Sequence, residues 1–307
     1  MGSPSPYAAA HLDPQGAGDA RPTTLQIIKD EGAGGKLAGK VIVITGATSG
    51  IGLETARALK ATGSTLFLTA RNRSKAEKNL AGILEPGRVN VLTNGAGLMG
   101  IQNRTLTEDN IEAQLSGNCM GFFLLFQLLK EALLASVTPE LNSQVAVVAS
   151  SAHRADTLPS SDNYNFEKSE YNHETAYNNA KLAAVYSANT LDRLYDSQGL
   201  HATSLHPGAI NTDISRNMPP KFLEAIMTNP YILKILKSLQ QGAATTVWAA
   251  VGKEWEAMGG KCLEDCKKAD RGEEDGQTFG PRWVKQTYNP EEEDRLWKDS
   301  LKIVGLE

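Results

Sequence analysis

Between Val41 and Ile44 the chain carries four consecutive β-branched residues with no polar alternation. Such a run suits a parallel strand covered on both faces. Helical spacing over 53–62 follows, then a second apolar run over 65–69, and strand, helix and strand within about thirty residues make a βαβ unit. The same alternation predicts a helix over 108–136, with a break near Gly117 and Gly121, and a strand over 145–148. It goes on through a helix over 174–196, a strand over 202–205, a helix over 241–255, a short strand over 261–263 and a terminal helix over 290–304. This order predicts an α/β fold, an open, doubly wound parallel sheet in one domain spanning 39–307. Residues 1–38 are rich in Ala, Pro, Gly and Asp and have one apolar-periodic piece, from Leu25 to Ile28. They read as a loosely ordered N-terminal arm with one helical turn.

Composition narrows the function classes. Apolar residues make up 41% of the 307 and charged residues 21%, which excludes wholesale disorder and collagen-like structure. Lys and Arg total 31 against 35 Asp and Glu, so no broad basic surface is expected for nucleic acid. Cys119, Cys262 and Cys266 are too few for a disulfide framework, and a reducing, cytoplasmic setting fits them. No run of roughly 18 uncharged apolar residues suggests a transmembrane segment. The nearest, 122–129, meets Lys130 and Glu131, and could fill the core or pair subunits in a homo-oligomer. The N-terminus has no basic start before an apolar core, so no secretory signal is expected, and Pro6 stands where myristoylation needs Ser or Thr.

The chemistry concentrates in a few places. The first strand runs into Thr45-Gly-Ala-Thr-Ser-Gly-Ile-Gly52. Glycines at 46, 50 and 52 permit a tight turn and close approach to a pyrophosphate, with the amides of the next helix facing it. Arg71 follows the second strand, where an acid would favour NAD and an Arg accommodates the 2′-phosphate of NADP. Tyr177 and Lys181 are four apart on a predicted helix, so phenol and ammonium share one face. Taken alone they would be a surface pair; together on a site, a fixed cation favours the phenolate and suits it to general acid/base work. His153, His201 and His206 have no metal-ligand spacing and no paired cysteines nearby, so no metal is expected, and His206 beside the Pro207-Gly208 turn reads as structural.

The glycine turn, a later Asn-Ala-Gly-like turn at 94–97, a Ser ahead of Tyr177-x-x-x-Lys181 and a Pro-Gly after the next strand together resemble the short-chain dehydrogenase/reductase family. The resemblance runs from about residue 39 to at least 264. The glycine spacing is that of the short form, not of extended epimerases and dehydratases. Residues 145–154, the Asn118 segment and 204–212 are most similar to the retinol-dehydrogenase-like branch, including fungal members near secondary-metabolite pathways. The resemblance implies a Rossmann-type sheet and an NADP(H)-dependent oxidoreductase that interconverts a ketone or aldehyde and an alcohol, a small-molecule substrate. It implies that Tyr177 exchanges the proton, that Lys181 binds the nicotinamide ribose and lowers the Tyr177 pKa, and that Ser150 polarises the substrate oxygen. Asn118 would hold a helix distortion and a water leading toward Lys181. Ser151 rivals Ser150, which is preferred because the family's serine stands two residues before the alanine matched by Ala152. Cofactor contacts are implied for Gly46, Ser49, Gly50, Ile51 and Gly52 in the turn, for Arg71 and Asn94, and for Pro207, Ile210 and Thr212 in the loop that closes on the nicotinamide. The family's substrate lid falls at about 211–239, where Ile232, Leu233, Ile235, Leu236 and Leu239 share an apolar face.

The chain also departs from the pattern. Arg71 and Asn94 are only 23 positions apart, an interval in which the family fits another strand and helix. A helix over 74–84 must run almost directly into the strand before Asn94, so about one βα unit, on the order of 30 residues, is missing. The third strand is an edge in the 3-2-1-4-5-6 order, so a sheet can close without it. The family's acidic contact to adenine goes with it. A catalytically impaired member, acting as a binding or regulatory protein or a truncated product, is the alternative reading.

Overall fold

The β-branched run forms β1 (Val41–Thr45), buried at all five positions. The computed structural model describes residues 5–69, 89–275 and 280–307. With β2 (Thr65–Leu68), β3 (Val91–Asn94), β4 (Ser143–Val148), β5 (Leu200–His206), β6 (Lys261–Glu264) and β7 (Lys267–Lys268), β1 builds a seven-stranded sheet in the order β2-β1-β3-β4-β5-β6-β7. Every pairing is parallel except β6 with β7. Ile42 pairs with Leu66 on one side and Val91 on the other, so β1 is interior and β2 is the outer strand among the described residues.

Eight helices are used below: α1 (Thr24–Asp30), α2 (Gly50–Lys60), α3 (Ala113–Leu134), α4 (His173–Tyr195), α5 (Pro220–Thr228), α6 (Pro230–Ile235), α7 (Leu239–Val251) and α8 (Pro290–Ile303). Strand side chains alternate between faces, and the core divides accordingly. Ile42, Ile44 and Leu66 pack with Ile27 of α1, Leu59 of α2 and Trp248 of α7. Val41, Val43 and Val145 pack with Phe122 and Phe126 of α3 and Ala188 of α4. Helices on both faces of a parallel sheet make a doubly wound, Rossmann-like domain.

Several elements differ from the expectation. The helix expected from 108 begins at Ala113, because Asn110 is left-handed at φ 58° and Glu112 caps the helix by accepting from Leu115 N–H. The predicted break near Gly117 and Gly121 is a π-helical turn, Ser116–Met120. At 22 residues α3 is long and apolar enough to cross a membrane by length and composition alone, but it includes Lys130 and Glu131 and lies on the sheet with Phe122, Phe126 and Leu133 buried. The helix expected over 241–255 stops at Val251, where Gly252 turns to extended backbone. The segment expected as a lid holds two short helices, α5 and α6, separated at Asn229-Pro230, neither of which buries a residue, and the apolar face expected over 232–239 is shared between α6 and the start of α7. The N-terminal arm is docked: Ile27 is fully buried, and Arg21 donates to the Ile235 and Leu236 carbonyls. Arg71 and the predicted 74–84 helix lie outside the described residues.

Candidate active site

All the site elements meet at the carboxyl ends of β1, β3, β4 and β5, where an open α/β sheet places its ligands. At the end of β1 the chain turns sharply. Gly46 has φ 71°, and a Cβ there would lie 2.6 Å from the Ala96 nitrogen; one on Gly52 would lie 2.4 Å from the Gly46 oxygen. The turn is therefore pressed against the loop after β3. Thr45 welds the two together: its hydroxyl donates to Asn94 Oδ1 at 2.8 Å and accepts from the Gly95 and Ala96 N–H groups at 3.1 Å. Ser49 stands extended at the N-cap of α2 without a side-chain cap, so the first-turn amides of Gly50, Ile51 and Gly52 face an anion position. Asn94 Nδ2, buried at the same corner, has no hydrogen-bond partner.

On β4's far end, Ser150 begins a 3₁₀ turn, Ser151–Arg154, and accepts from Ala152 N–H at 3.2 Å. Of the two serines, Ser150 is the one whose hydroxyl acts on Tyr177, easing its phenol downward. Ser151 instead donates its N–H to His206 Nδ1 at 3.1 Å, and burial pushes that imidazole down to about 3, so it accepts as a neutral ring. His206 is thus a brace for the serine turn.

Helix α4 is started by Asn172, which accepts from Glu174 and Thr175 N–H groups. It presents Tyr177 and Lys181 together: Lys181 Nζ lies 5.7 Å from the centre of the Tyr177 ring and donates to the Val148 carbonyl at 3.0 Å. Burial pushes the phenol up to about 12, eased by the Ser150 hydrogen bond, and pushes Lys181 down to about 8. The lysine was expected to lower the tyrosine's pKa. In this structure desolvation is the leading cause for both groups, holding the phenol above its ordinary value and the ammonium below its own.

Asn118 lies in the π turn and is fully buried. It accepts from Leu98 N–H at 3.1 Å and donates to the Leu98 and Gln114 carbonyls at 2.8 Å, so its side chain ties α3 to the loop after β3. Gly97 sits where a Cβ would reach Asn118 Oδ1 at 2.9 Å, Ile214 at 3.5 Å and Lys181 Nζ at 3.8 Å. Thr45, Gly97 and Ile214 were not singled out in the sequence. The signals for the first two were a threonine closing a β-branched run and the last glycine of Asn94-Gly-Ala-Gly97.

The loop after β5 crosses in front of these groups. Thr212 caps the 3₁₀ turn Asp213–Asn217 and lies 3.4 Å from where a Gly50 Cβ would stand, over the start of α2. Ile210 bridges to Lys237, and Pro207 accepts from its ammonium. Asn118, Ser150, Tyr177 and Lys181 thus gather on one side, with Gly46, Gly50, Gly52, Asn94 and Thr212 on the other. Arg71 lies outside the described residues.

An open turn pressed backbone to backbone, uncapped helix amides and a Tyr–Lys pair make a dinucleotide-dependent redox site in class. Comparison with known proteins agrees. The short chain dehydrogenase family profile matches residues 40–86. Short-chain dehydrogenase/reductase prx1 of Penicillium roqueforti is 40% identical, the alignment covering 100% of this chain and 97% of that protein. Retinol dehydrogenase 13 of Mus musculus is 29% identical over 91% of this chain and 90% of its own. A crystal structure of an uncharacterized protein from Mycobacterium paratuberculosis has TM-score 0.65 at 24% identity, covering 90% of this chain and 97% of that one. The chain belongs to the short-chain dehydrogenase/reductase family, in the branch that holds retinol-dehydrogenase-like and fungal members, and is an oxidoreductase of the kind that uses a nicotinamide cofactor. The alignment to prx1 runs over 333 positions where this chain has 307 residues, so about 26 residues of the relative have no counterpart here.

Proposed function

We propose that the chain is an NADP(H)-dependent oxidoreductase that interconverts a ketone or aldehyde and an alcohol in a reducing, cytoplasmic setting. The observation that carries this is the Ser150–Tyr177–Lys181 constellation, a half-buried phenol with the Lys181 ammonium 5.7 Å from its ring centre and Ser150 at the end of β4. The bound cofactor would supply or accept a hydride at its nicotinamide. Gly46, Ser49, Gly50, Ile51 and Gly52 would face its pyrophosphate, Asn94 its adenosine side, and Pro207, Ile210 and Thr212 its carboxamide. Arg71 supports NADP over NAD by its position after β2.

The chain's own residues do the rest. Tyr177 gives its proton to the substrate oxygen as that oxygen gains charge, and Ser150 donates a second hydrogen bond to the same atom. Lys181 contacts the ribose side and keeps positive charge beside the phenol as it ionises. The free thiols Cys119, Cys262 and Cys266 support the reducing setting.

Tyr177→Phe is the decisive variant. Turnover of a carbonyl panel should fall about 10²–10⁴-fold while NADPH titration by nicotinamide fluorescence stays near wild type. Parallel loss of binding and turnover would remove Tyr177 from its role, and a preference for NADH in the same titration would remove the NADP assignment. The shortened alignment favours one second reading, an impaired relative. A folded chain that binds neither nucleotide would select it.

A further inference from the structure

Lys237 is 4% exposed and carries its ammonium into the protein between α6 and α7. Its backbone N–H donates to the Ala209 carbonyl at 2.8 Å, and its Nζ donates to the Pro207 carbonyl at 3.1 Å. One residue therefore grips the loop after β5 at both ends of Pro207-Gly208-Ala209. Gly208, at φ 100°, makes room for it: a Cβ there would lie 2.8 Å from Lys237 Cε.

The counter-charge comes from Asp265 in the turn between β6 and β7. Its Oδ1 accepts from Lys237 Nζ at 2.7 Å and lies 3.1 Å from His11 Nδ1. Asp265 and Cys266 both have φ 50°, a conformation that non-glycine residues adopt at a cost, so the turn is held in the shape that aims the carboxylate inward. Burial pushes the Asp265 carboxyl up, but the bond from His11 and the charge of Lys237 prevail and hold it well below the usual carboxylate range. The N-terminal arm joins from the other side, where Arg21 donates to the two carbonyls just ahead of Lys237.

Apolar side chains of equal volume often hold a core as well as a buried ion pair does, so stability alone is a weak reason for this one. We propose that Lys237 is a positioning residue: clamped by Asp265 and, through it, by His11 of the arm, it sets the 207–212 loop that closes on the nicotinamide. The proposal rests on the cofactor reading above for what the loop touches, and on geometry alone for what holds the loop.

The test uses Lys237→Met and the milder Asp265→Asn in the full chain, with two readouts. The first is amide hydrogen exchange without cofactor. Exchange over 207–212 should quicken about tenfold in both variants while β1 and β4 keep their protection. Unchanged exchange in that loop overturns the proposal, and it does so whether or not the wild type binds a nucleotide. The second compares NADPH with 2′,5′-ADP, which lacks the nicotinamide. NADPH affinity should fall about tenfold and 2′,5′-ADP affinity should hold. Loss of both, or of neither, removes the positioning role. Absence of binding by the wild type defeats the cofactor reading instead and leaves exchange to decide. If Lys237→Met does not fold, Asp265→Asn carries both readouts by itself.

Discussion

At the scale of single residues the site sets chemistry against stability, and Lys181 shows how. Its side chain is buried to 3% exposure with one carbonyl partner, and burial lowers it from an ordinary 10.5 to about 8. Below pH 8 the folded and unfolded chains both carry the charge, and folding must desolvate it in full. Between about 8 and 10.5 the folded chain has released a proton that the unfolded chain still holds, so stability rises with pH and the penalty fades. Lys181→Met should therefore be more stable than wild type at pH 7, by roughly 3 kcal/mol, and equal to it near pH 10.5. Urea denaturation at the two pH values checks this; a variant that is less stable at pH 7 would show the ammonium to be better solvated than its burial implies. Turnover should be lost in the same variant. The pairing of Tyr177 with Lys181 was legible from their spacing, whereas the choice of Ser150 over Ser151 came from the family resemblance. The direction of the tyrosine's shift was not legible, because it depends on how much water the folded site excludes.

Elements carry these residues to one place, and α3 does so by a defect. Its π turn at Ser116–Met120 puts Asn118 wholly inside, where it satisfies both the N–H and the carbonyl of Leu98. Asn118→Leu keeps the volume but orphans those groups together with its bond to Gln114. A loss of about 2–4 kcal/mol should follow, read from the denaturation midpoint at constant slope. A change below about 0.5 kcal/mol would mean that water takes over the Leu98 groups without cost. The helix break was readable from Gly117 and Gly121, though not its π form, which is set by contacts with the β3 loop. Strand β1 was readable from its β-branched run, and β4 and β5 from their place in the alternation of strands and helices. The apolar face over 232–239 was not: its helix ends at Ile235, the next begins at Leu239, and Leu233 stays 42% exposed. Periodicity reports an apolar face and is silent on what covers it.

The whole molecule raises the question of how much of the cofactor the sheet can hold. The groups proposed for the nicotinamide half are all present: Ser150 follows β4, Tyr177 and Lys181 stand on α4, and Thr212 lies over the start of α2. The proposed adenosine half would lie toward β2, the outer strand among the described residues, and about 26 residues of the Penicillium relative have no counterpart in this chain. The sequence places that deficit between Arg71 and Asn94, where a family member carries one more strand and helix. The two halves of the site are built by different strands, so they should respond separately. Inserting the relative's additional residues between Thr69 and Val89 should raise affinity for 2′,5′-ADP about tenfold or more, equivalent to at least roughly 1.4 kcal/mol. The turnover number should change little, since no catalytic side chain sits on the inserted unit. Isothermal titration and steady-state kinetics on the same preparation distinguish the outcomes. Unchanged affinity would mean that β2 and the glycine turn already form the adenosine site. A turnover number that climbs with affinity would mean that the extra strand reaches the catalytic end through the sheet, and that the halves are coupled.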